Sequence, residues 1–296
     1  MVYMNPFLDH VCFNCVARYA YAVGGKMGRT HREKLEISAR LMEGFSRALL
    51  ESVDDYVELC RAIFHHTFRV IGEDVDPYAE IKERSMEAAK ELMPLAEEYV
   101  AAGDQLERAV KVAVVANALD FGTGVYRVSL DEFRSRFREK LEEPFAVNHV
   151  QQLRDDLQNS TSVLYVLDNA GECVLDRLLI GLISRRRHVV VAARGGSVLN
   201  DATLEEAMRA ELDQYGVLIT TGLRLPCISL EADAVFLSHL READIVILKG
   251  QGNFQSYYLI DKLRDKPTYY LFVPKCQPTS RVVGAPVHSL VVLKRK

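Results

Sequence analysis

The sequence predicts an α/β protein in which a helical N-terminal half precedes a doubly wound sheet of mainly parallel strands. Between about residues 30 and 150, apolar residues recur every three or four positions, the pattern of amphipathic helices. After about residue 160, short apolar runs alternate with helical segments, which is typical of parallel strands buried on both faces. We therefore expect a helical N-terminal domain at 1–155 and an α/β domain at 156–296.

The helical half contains four predicted segments. Residues 31–66 place charged residues between apolar positions, as an amphipathic helix does. Residues 76–103 begin with Asp-Pro, a favourable helix entry, and end at a glycine. Residues 106–124 are apolar on all sides, so we expect them to form the buried central helix. Residues 129–143 open with Ser-x-x-Glu, which predicts a capping box.

Six apolar runs in the second half predict the strands of the sheet. They are rich in Val, Ile, Leu and Tyr and lack the alternation of a half-buried strand. Helical segments such as 171–187 and 202–215 separate them, as crossover connections in a parallel sheet require. The predicted strands are 162–167, 188–193, 216–221, 243–249, 267–273 and 288–294.

Composition and charge exclude several classes of partner. The formal net charge of the 296 residues is −4, so we expect neither nucleic-acid binding nor attraction to an anionic membrane. The first residues lack the basic-then-apolar plan of a signal peptide, and no apolar run reaches the roughly 18 residues of a membrane span. These features predict a cytoplasmic protein whose six cysteines are thiols.

Polar residues follow several of the predicted strands. Asp168 and Asn169 come after the first strand, Asp201 lies beyond the second, Asn253 beyond the fourth and Lys275 beyond the fifth. Ligands of open α/β sheets bind in the crevice outside the carboxyl ends of the strands. We therefore expect these side chains to form one site.

The atom types at this edge suit a cation and a phosphate. Two carboxylates and an amide oxygen are suitable ligands for Mg²⁺ or Mn²⁺, and a lysine beside them suits a phosphate. The glycines of "KGQGN" would let backbone N–H groups approach an anion. Alternatively, Asp168 and Asn169 are N-caps of the next helix. Asp201 fits that alternative less well, because Thr203 and Glu206 already predict a capping box.

Several segments resemble the metal-dependent damage-control phosphatases, a family formerly catalogued as domain of unknown function 89. The resemblance is carried by "LDNAGECVLDRLLI", "VLNDATLEEA", "ADIVILKGQGNF" and "PKC", and extends into the helical half through "DPYAEIKERSMEAA" and "NALDFG". "CFNCVARYA" is similar to the CxxC segment of the stand-alone microbial branch. The family's fold implies a helical N-terminal region packed on a Rossmann-like three-layer α/β/α domain with a mainly parallel sheet.

The same resemblance implies an activity and assigns residues to it. The expected reaction is metal-dependent hydrolysis of phosphate monoesters of small metabolites, such as sugar phosphates or damaged phosphometabolites. The implied cofactor is a divalent cation, Mg²⁺, Mn²⁺, Co²⁺ or Ni²⁺. The expected catalytic residues are Asp168, Asn169, Asp201 and Lys275, of which the first three hold the metal and Lys275 binds the phosphate. The expected substrate-binding residues are Glu172, Gly252, Asn253 and Lys275.

Three further positions of the helical half bear on the resemblance. Related sequences tend to carry Asn at the position of Met86, so substrate choice could differ here. Asn117 and Asp120 of "NALDFG" are expected to face the site.

Two other functions remain open at this point. The same crevice could serve a non-hydrolytic α/β enzyme, such as a carboxyl methyltransferase. The chain could instead be a metal-dependent or thiol-dependent binding protein built around Cys12 and Cys15. A CxxC pair can bind zinc, cycle between redox states or pack as two small apolar residues. Three-residue spacing puts both thiols on one face of a helix, which favours packing.

Overall fold

Seven strands of the computed structural model, which describes residues 5–118, 130–258, 260 and 266–295, form one sheet in the order β1-β7-β6-β5-β2-β3-β4. All neighbouring strands are parallel except β6 and β7. The predicted α/β class with a mainly parallel sheet is confirmed. The strands are β1 (Phe145–Asn148), β2 (Ser162–Val166), β3 (His188–Ala193), β4 (Val217–Thr220), β5 (Ile245–Lys249), β6 (Thr268–Phe272) and β7 (Leu290–Lys294).

Burial explains which strands the sequence predicts. Every residue of β5 and β6 is buried, and all six continuous apolar runs form strands. Strand β1 was not predicted. It is a four-residue edge strand in which half-buried and exposed residues alternate, so it lacks a continuous apolar run. It pairs with β7 and lies before the predicted domain boundary at 155, and the division into two domains stays a prediction.

Twelve α-helices lie in the described part of the chain. The predicted segment 31–66 is two helices, because Asp55 caps a new helix by accepting hydrogen bonds from the backbone N–H groups of Val57 and Glu58. No helix in the described ranges has both the length and the apolar character to span a membrane. The helices are α1 (Val11–Met27), α2 (His31–Glu51), α3 (Tyr56–Ile71), α4 (Ala79–Ala101), α5 (Gln105–Ala118), α6 (Leu130–Glu142), α7 (Val150–Gln158), α8 (Ala170–Ser184), α9 (Leu204–Arg209), α10 (Ala234–Glu242), α11 (Gly250–Tyr257) and α12 (Gln277–Val283).

The sheet has a helical layer on each face. Helices α4, α5 and α8 share one apolar core with the face of the sheet that carries Val163 and Tyr165. Helices α10 and α11 pack on the face that carries Leu164 and Val166. Helix α5 contacts β6 and β7, and its central valines are fully buried, as expected of the central helix. Ser129, the first residue of the predicted capping box, lies outside the described residues.

Helices α1, α2 and α3 form a further apolar cluster with each other. This cluster also includes Tyr78, Val198, Leu225 and Cys227, which lie before α4 and in the loops beyond β3 and β4. The first three helices therefore pack beside the carboxyl-terminal edge of the sheet, where the candidate site lies.

Candidate active site

The ends of β2 and β3 bring the three predicted metal ligands together. Asp168 and Asn169 follow β2, and Asn169 forms an isolated antiparallel bridge with Asp201 in the loop after β3. Backbone hydrogen bonds of 2.7 and 2.8 Å join the residues that flank this bridge. The three side chains are all buried. Backbone hydrogen bonds thus tie the loop that carries Asp201 to the segment that carries Asp168 and Asn169.

Two amides converge on the acids of this crevice. Asn117, at the end of α5, donates through Nδ2 to Asp168 Oδ2 at 3.0 Å and to Glu172 Oε1 at 2.7 Å. Asn169 donates to the same Asp168 oxygen at 3.1 Å and also to Glu172. Asn117 is itself held by the backbone N–H of Val273, which donates to its Oδ1 at 3.0 Å. The central helix thus contributes to the site, whereas Asp120 lies outside the described residues.

Helix capping does not account for the polar residues after β2. Asn169 occupies the N-cap position of α8, but its side chain makes no capping hydrogen bond. By contrast, Thr203 caps α9, and the predicted capping box with Glu206 is present. The side chain of Asn169 is turned toward the neighbouring acids instead.

The buried side chain of Arg194 contacts polar side chains on both sides of the crevice. Its Nε donates to Asp201 Oδ2 at 2.7 Å, and its Nη1 donates to Asn253 Oδ1 at 2.9 Å. Its Nη2 is 3.8 Å from Asp168 Oδ1. Only 2% of the residue is exposed. The guanidinium therefore joins residues from three different strand ends.

A buried lysine forms ion pairs with Glu172 and with a second acid of α8. Lys249, the last residue of β5, donates through Nζ to Glu172 Oε2 and to Asp176 Oδ1, both at 2.9 Å. Burial raises the pKa of Asp176 to about 6, although the Lys249 charge opposes this shift. Burial by itself would lower the pKa of Lys249. The carboxylates of Asp176 and Glu172 outweigh this effect and raise the pKa above its usual value. Lys249 therefore stabilises the charge of both acids, whereas Glu172 and Asp176 repel each other.

Glycine at position 250 is required by the close approach of Asp168. Gly250 has a φ of +78°, in the left-handed region. A Cβ atom built on it would lie 2.0 Å from Asp168 Oδ2. The predicted substrate-binding Gly252 follows in α11, where a Cβ would lie 2.2 Å from the carbonyl oxygen of Pro226. Gly250 thus leaves room for the Asp168 carboxylate, and Gly252 leaves room for the backbone at Pro226.

Lys275 is close enough to the acids to influence them electrostatically. Its positive charge lowers the pKa of both Asp168 and Asp201. Its backbone N–H donates to Gln251 Oε1 at 2.7 Å, which ties the segment after β6 to α11. The side chain is half-buried. This predicted phosphate-binding residue thus lies beside the predicted metal ligands.

The charges and donor types of the crevice fit a hard divalent cation. Burial raises the pKa of Asp168 well above its usual range, and Glu172 and Asp201 add to the effect. Burial likewise raises the pKa of Asp201, although Arg194 and Lys275 oppose the shift. Buried carboxylates with raised pKa values gain stability from a bound cation. The nearly isosteric O and N atoms of an amide let Asn169 present either atom after a half-turn.

Among the described residues, no group of three or more His, Cys, Asp or Glu side chains is arranged to hold a metal ion. The candidate set combines two carboxylates with one amide. Oxygen-rich sets of this kind suit Mg²⁺ or Mn²⁺, which retain several waters.

Three other positions named from the sequence lie on helices α4 and α1. Met86 is buried on α4 and belongs to the core between helices and sheet. Cys12 and Cys15 both lie on α1, as their spacing predicts for packed residues, but Cys12 is half-buried and Cys15 is exposed. Both are free thiols.

Sequence reasoning missed Arg194 and Asp176. Arg194 directly follows the buried strand β3, so the rule that identified Asp168 after β2 would also have found it. Asp176 follows Glu172 by four residues in a largely apolar helix, which places both acids on one face. A pair of buried acids on one helix face indicates a buried positive charge beside them, which here is Lys249.

The chain is similar to several proteins along nearly its whole length. The family model of the Damage-control phosphatase ARMT1-like domain matches residues 8–291. An uncharacterized protein of Methanocaldococcus jannaschii is 30% identical over 291 residues, covering 96% of this chain and 94% of that protein. A damage-control phosphatase of Archaeoglobus fulgidus is 33% identical over 240 residues, 79% of this chain and 80% of that protein. The crystal structure of a DUF89 family protein from Pyrococcus horikoshii superposes with a TM-score of 0.85 at 26% identity, covering 98% and 99% of the two chains.

Proposed function

This chain belongs to the damage-control phosphatases with an ARMT1-like domain, and on that premise we propose that it is a metal-dependent phosphatase. Its family and its named relatives support phosphatase activity in general. The proposal adds a divalent cation, Mg²⁺, Mn²⁺, Co²⁺ or Ni²⁺. It also adds the substrate class, which is phosphate monoesters of small metabolites such as sugar phosphates or damaged phosphometabolites.

The observation that carries the proposal is the backbone bridge between Asn169 and Asp201. It brings two buried acids and an amide together at the carboxyl-terminal edge of the sheet, beside the charge of Lys275. Carboxylates alone would repel a phosphate group, so an anionic substrate needs compensating positive charge here. A cation held by Asp168, Asn169 and Asp201 would supply it.

Each residue of the crevice has a distinct role in this proposal. The bound cation would supply Lewis-acid polarisation of the phosphate and a lowered pKa for water. Lys275 would steady the equatorial oxygens of the phosphate as negative charge shifts during the reaction. Glu172 and Asn253 would contact the substrate, and the N-terminal N–H groups of α8 and α11 would favour an anion at the crevice. Both water and an aspartate are chemically suitable nucleophiles.

Phosphate release from a generic ester tests the proposal. The metal-free protein should not hydrolyse p-nitrophenyl phosphate, and one of the four cations should restore hydrolysis. Asp168→Asn should then remain inactive at the same cation concentration while unfolding at a temperature close to that of the wild type. A non-hydrolytic enzyme or a thiol-dependent binding protein would release no phosphate under any of these conditions. Metal-independent hydrolysis by the wild type would contradict the proposed chemistry.

A further inference from the structure

We propose that Arg194 is a positioning residue that links the candidate metal ligand Asp201 to the candidate substrate residue Asn253. The inference rests on the proposed function. Asp201 lies in the loop after β3, and Asn253 lies in α11, which follows β5. Strand β2 separates β3 from β5 in the sheet. The arginine therefore spans the crevice from one wall to the other.

The geometry of the guanidinium fixes both partners at once. Its Nε–H···Oδ2 bond to Asp201 is 2.7 Å long, and its Nη1–H···Oδ1 bond to Asn253 is 2.9 Å long. A guanidinium is planar, and its donors point in fixed directions. A shift of either partner must therefore strain one bond or move the other partner. The bond to Asp201 uses one carboxylate oxygen, Oδ2, and a carboxylate has a second oxygen for a cation.

Asn253 is itself firmly oriented, so Arg194 is held from the substrate side. Its Nδ2 donates to the carbonyl oxygens of Leu167 at 3.1 Å and Lys249 at 2.7 Å. Because both partners are acceptors, the amide nitrogen must face them, and Oδ1 must face Arg194. Leu167 precedes Asp168 directly. The chain of contacts thus runs from the end of β2 through Asn253 and Arg194 to Asp201.

Stability alone is a poor explanation for this arginine. The Arg194 side chain is 1% exposed, and its Nη2 atom has no hydrogen-bond partner among the described residues. A buried charge with an unpaired donor is destabilising, and apolar residues of similar volume are often at least as stable. Nη2 is 3.8 Å from Asp168 Oδ1, beyond hydrogen-bond range. The arrangement makes sense if the guanidinium orients the acids of the site.

Arg194→Lys tests the inference, because lysine keeps the charge and loses the planar fork. We expect the dissociation constant for Mn²⁺, measured by isothermal titration into metal-free protein, to rise on the order of 10-fold. We also expect KM for p-nitrophenyl phosphate to rise, because Asn253 is no longer held against Arg194. The titration needs no catalytic activity.

Arg224→Lys is the matched control. Arg224 is half-buried, donates to the backbone carbonyls of Ser197, Glu73 and Val75, and stacks on Phe68. The same substitution there should lower the unfolding temperature and leave the Mn²⁺ dissociation constant and KM unchanged. Effects of Arg194→Lys on binding that are no larger than those of the control would overturn the inference.

A double substitution separates positioning from general destabilisation. If Arg194 acts through Asn253, Arg194→Lys should raise KM less in an Asn253→Ala background than in the wild type. Additive effects on KM would overturn the linkage. If the Arg194→Lys protein does not fold, the Asn253→Ala variant alone tests the inference. It removes one anchor of Arg194 and should weaken Mn²⁺ binding through Asp201, whereas unchanged binding contradicts the inference.

The two proposals fail in different ways. A wild type that binds Mn²⁺ but releases no phosphate refutes the proposed phosphatase activity. The positioning role of Arg194 is then tested by the Mn²⁺ titrations alone. A wild type that releases phosphate while Arg194→Lys retains wild-type binding and KM refutes only the arginine's role. A wild type that binds none of Mg²⁺, Mn²⁺, Co²⁺ and Ni²⁺ contradicts both.

Discussion

Asp201 and Thr203 are two residues apart, yet the structure gives them different tasks. Thr203 caps α9, whereas Asp201 accepts a hydrogen bond from the buried Arg194. Asp201→Asn keeps a carbonyl oxygen for Arg194 and removes the negative charge that a cation needs. We expect it to lower phosphatase kcat by at least about 100-fold, more than the loss typical of residues that only support a metal ligand. Thr203→Ala should instead cost about 0.5–2 kcal/mol of stability and preserve kcat.

Chemical denaturation and a kcat measurement on both variants check this separation. An Asp201→Asn protein with wild-type, metal-responsive activity would show that Asp201 holds no cation. Loss of kcat in a well-folded Thr203→Ala protein would show that the capping loop itself belongs to the site.

Lys275 should act on the phosphate and not on the cation. A lysine ammonium has donors only, so it cannot ligate a metal. Its charge lowers the pKa of Asp168 and Asp201 and repels a neighbouring cation. Lys275→Ala should therefore reduce kcat/KM strongly, while the Mn²⁺ dissociation constant stays the same or falls. Titration calorimetry and steady-state kinetics on one preparation measure both quantities. Weaker Mn²⁺ binding would place Lys275 elsewhere in the site or indicate its collapse.

At the scale of elements, the turn from β5 into α11 is set by one glycine. Gly250 and Gly284 have nearly the same φ, +78° and +72°, so alanine at either position costs about 1–2 kcal/mol of backbone strain. A Cβ at Gly250 would also meet the Asp168 carboxylate at 2.0 Å, whereas nothing lies within 4 Å at Gly284. Gly250→Ala should lose activity as well as stability, and Gly284→Ala should lose stability alone. Equal activity in the two variants would mean that Asp168 tolerates displacement.

The elements that the sequence predicts are those whose pattern depends on local burial. β5 and β6 read as strands because every residue in them is buried and apolar runs result. β1 could not be predicted in this way, because it is short and half-exposed and is stabilised by pairing with β7, which is distant in the sequence. The break at Asp55 was also missed, although a capping aspartate preceding an apolar periodic segment is a recognisable start signal.

In the candidate site, too, the sequence predicts what depends on local pattern and not what depends on contacts between distant strands. Asp168, Asn169 and Asp201 could be named because parallel strands end at one edge of a sheet, and the bridge between Asn169 and Asp201 shows two of them adjacent. The spanning role of Arg194 could not, because it depends on the order of β3, β2 and β5 in the sheet. Sequence order alone leaves that strand order open.

At the scale of the whole molecule, the helical half and the sheet share an interior. Helices α4 and α5 lie in the same apolar core as α8 and one face of the sheet. Asn117 of α5 also donates to Asp168 and Glu172, so the first half completes the crevice. Helices α1–α3 instead belong to a separate apolar cluster, which they share with residues of the loops beyond β3 and β4. We therefore expect the cooperative unit to begin before α4 rather than near residue 155.

Two fragments test where the cooperative unit begins. Residues 156–296 alone would expose the sheet face now covered by α4 and α5 and would lack β1, so we expect aggregation or no cooperative unfolding transition. Residues 76–296 keep both helical layers of the sheet, and we expect them to unfold cooperatively at a lower temperature than the whole chain. Circular dichroism melts and size-exclusion chromatography of the two fragments beside the full chain give the comparison. A soluble 156–296 fragment with a sharp transition would instead support the domain boundary predicted from the sequence, with α4 and α5 docking on an already stable sheet.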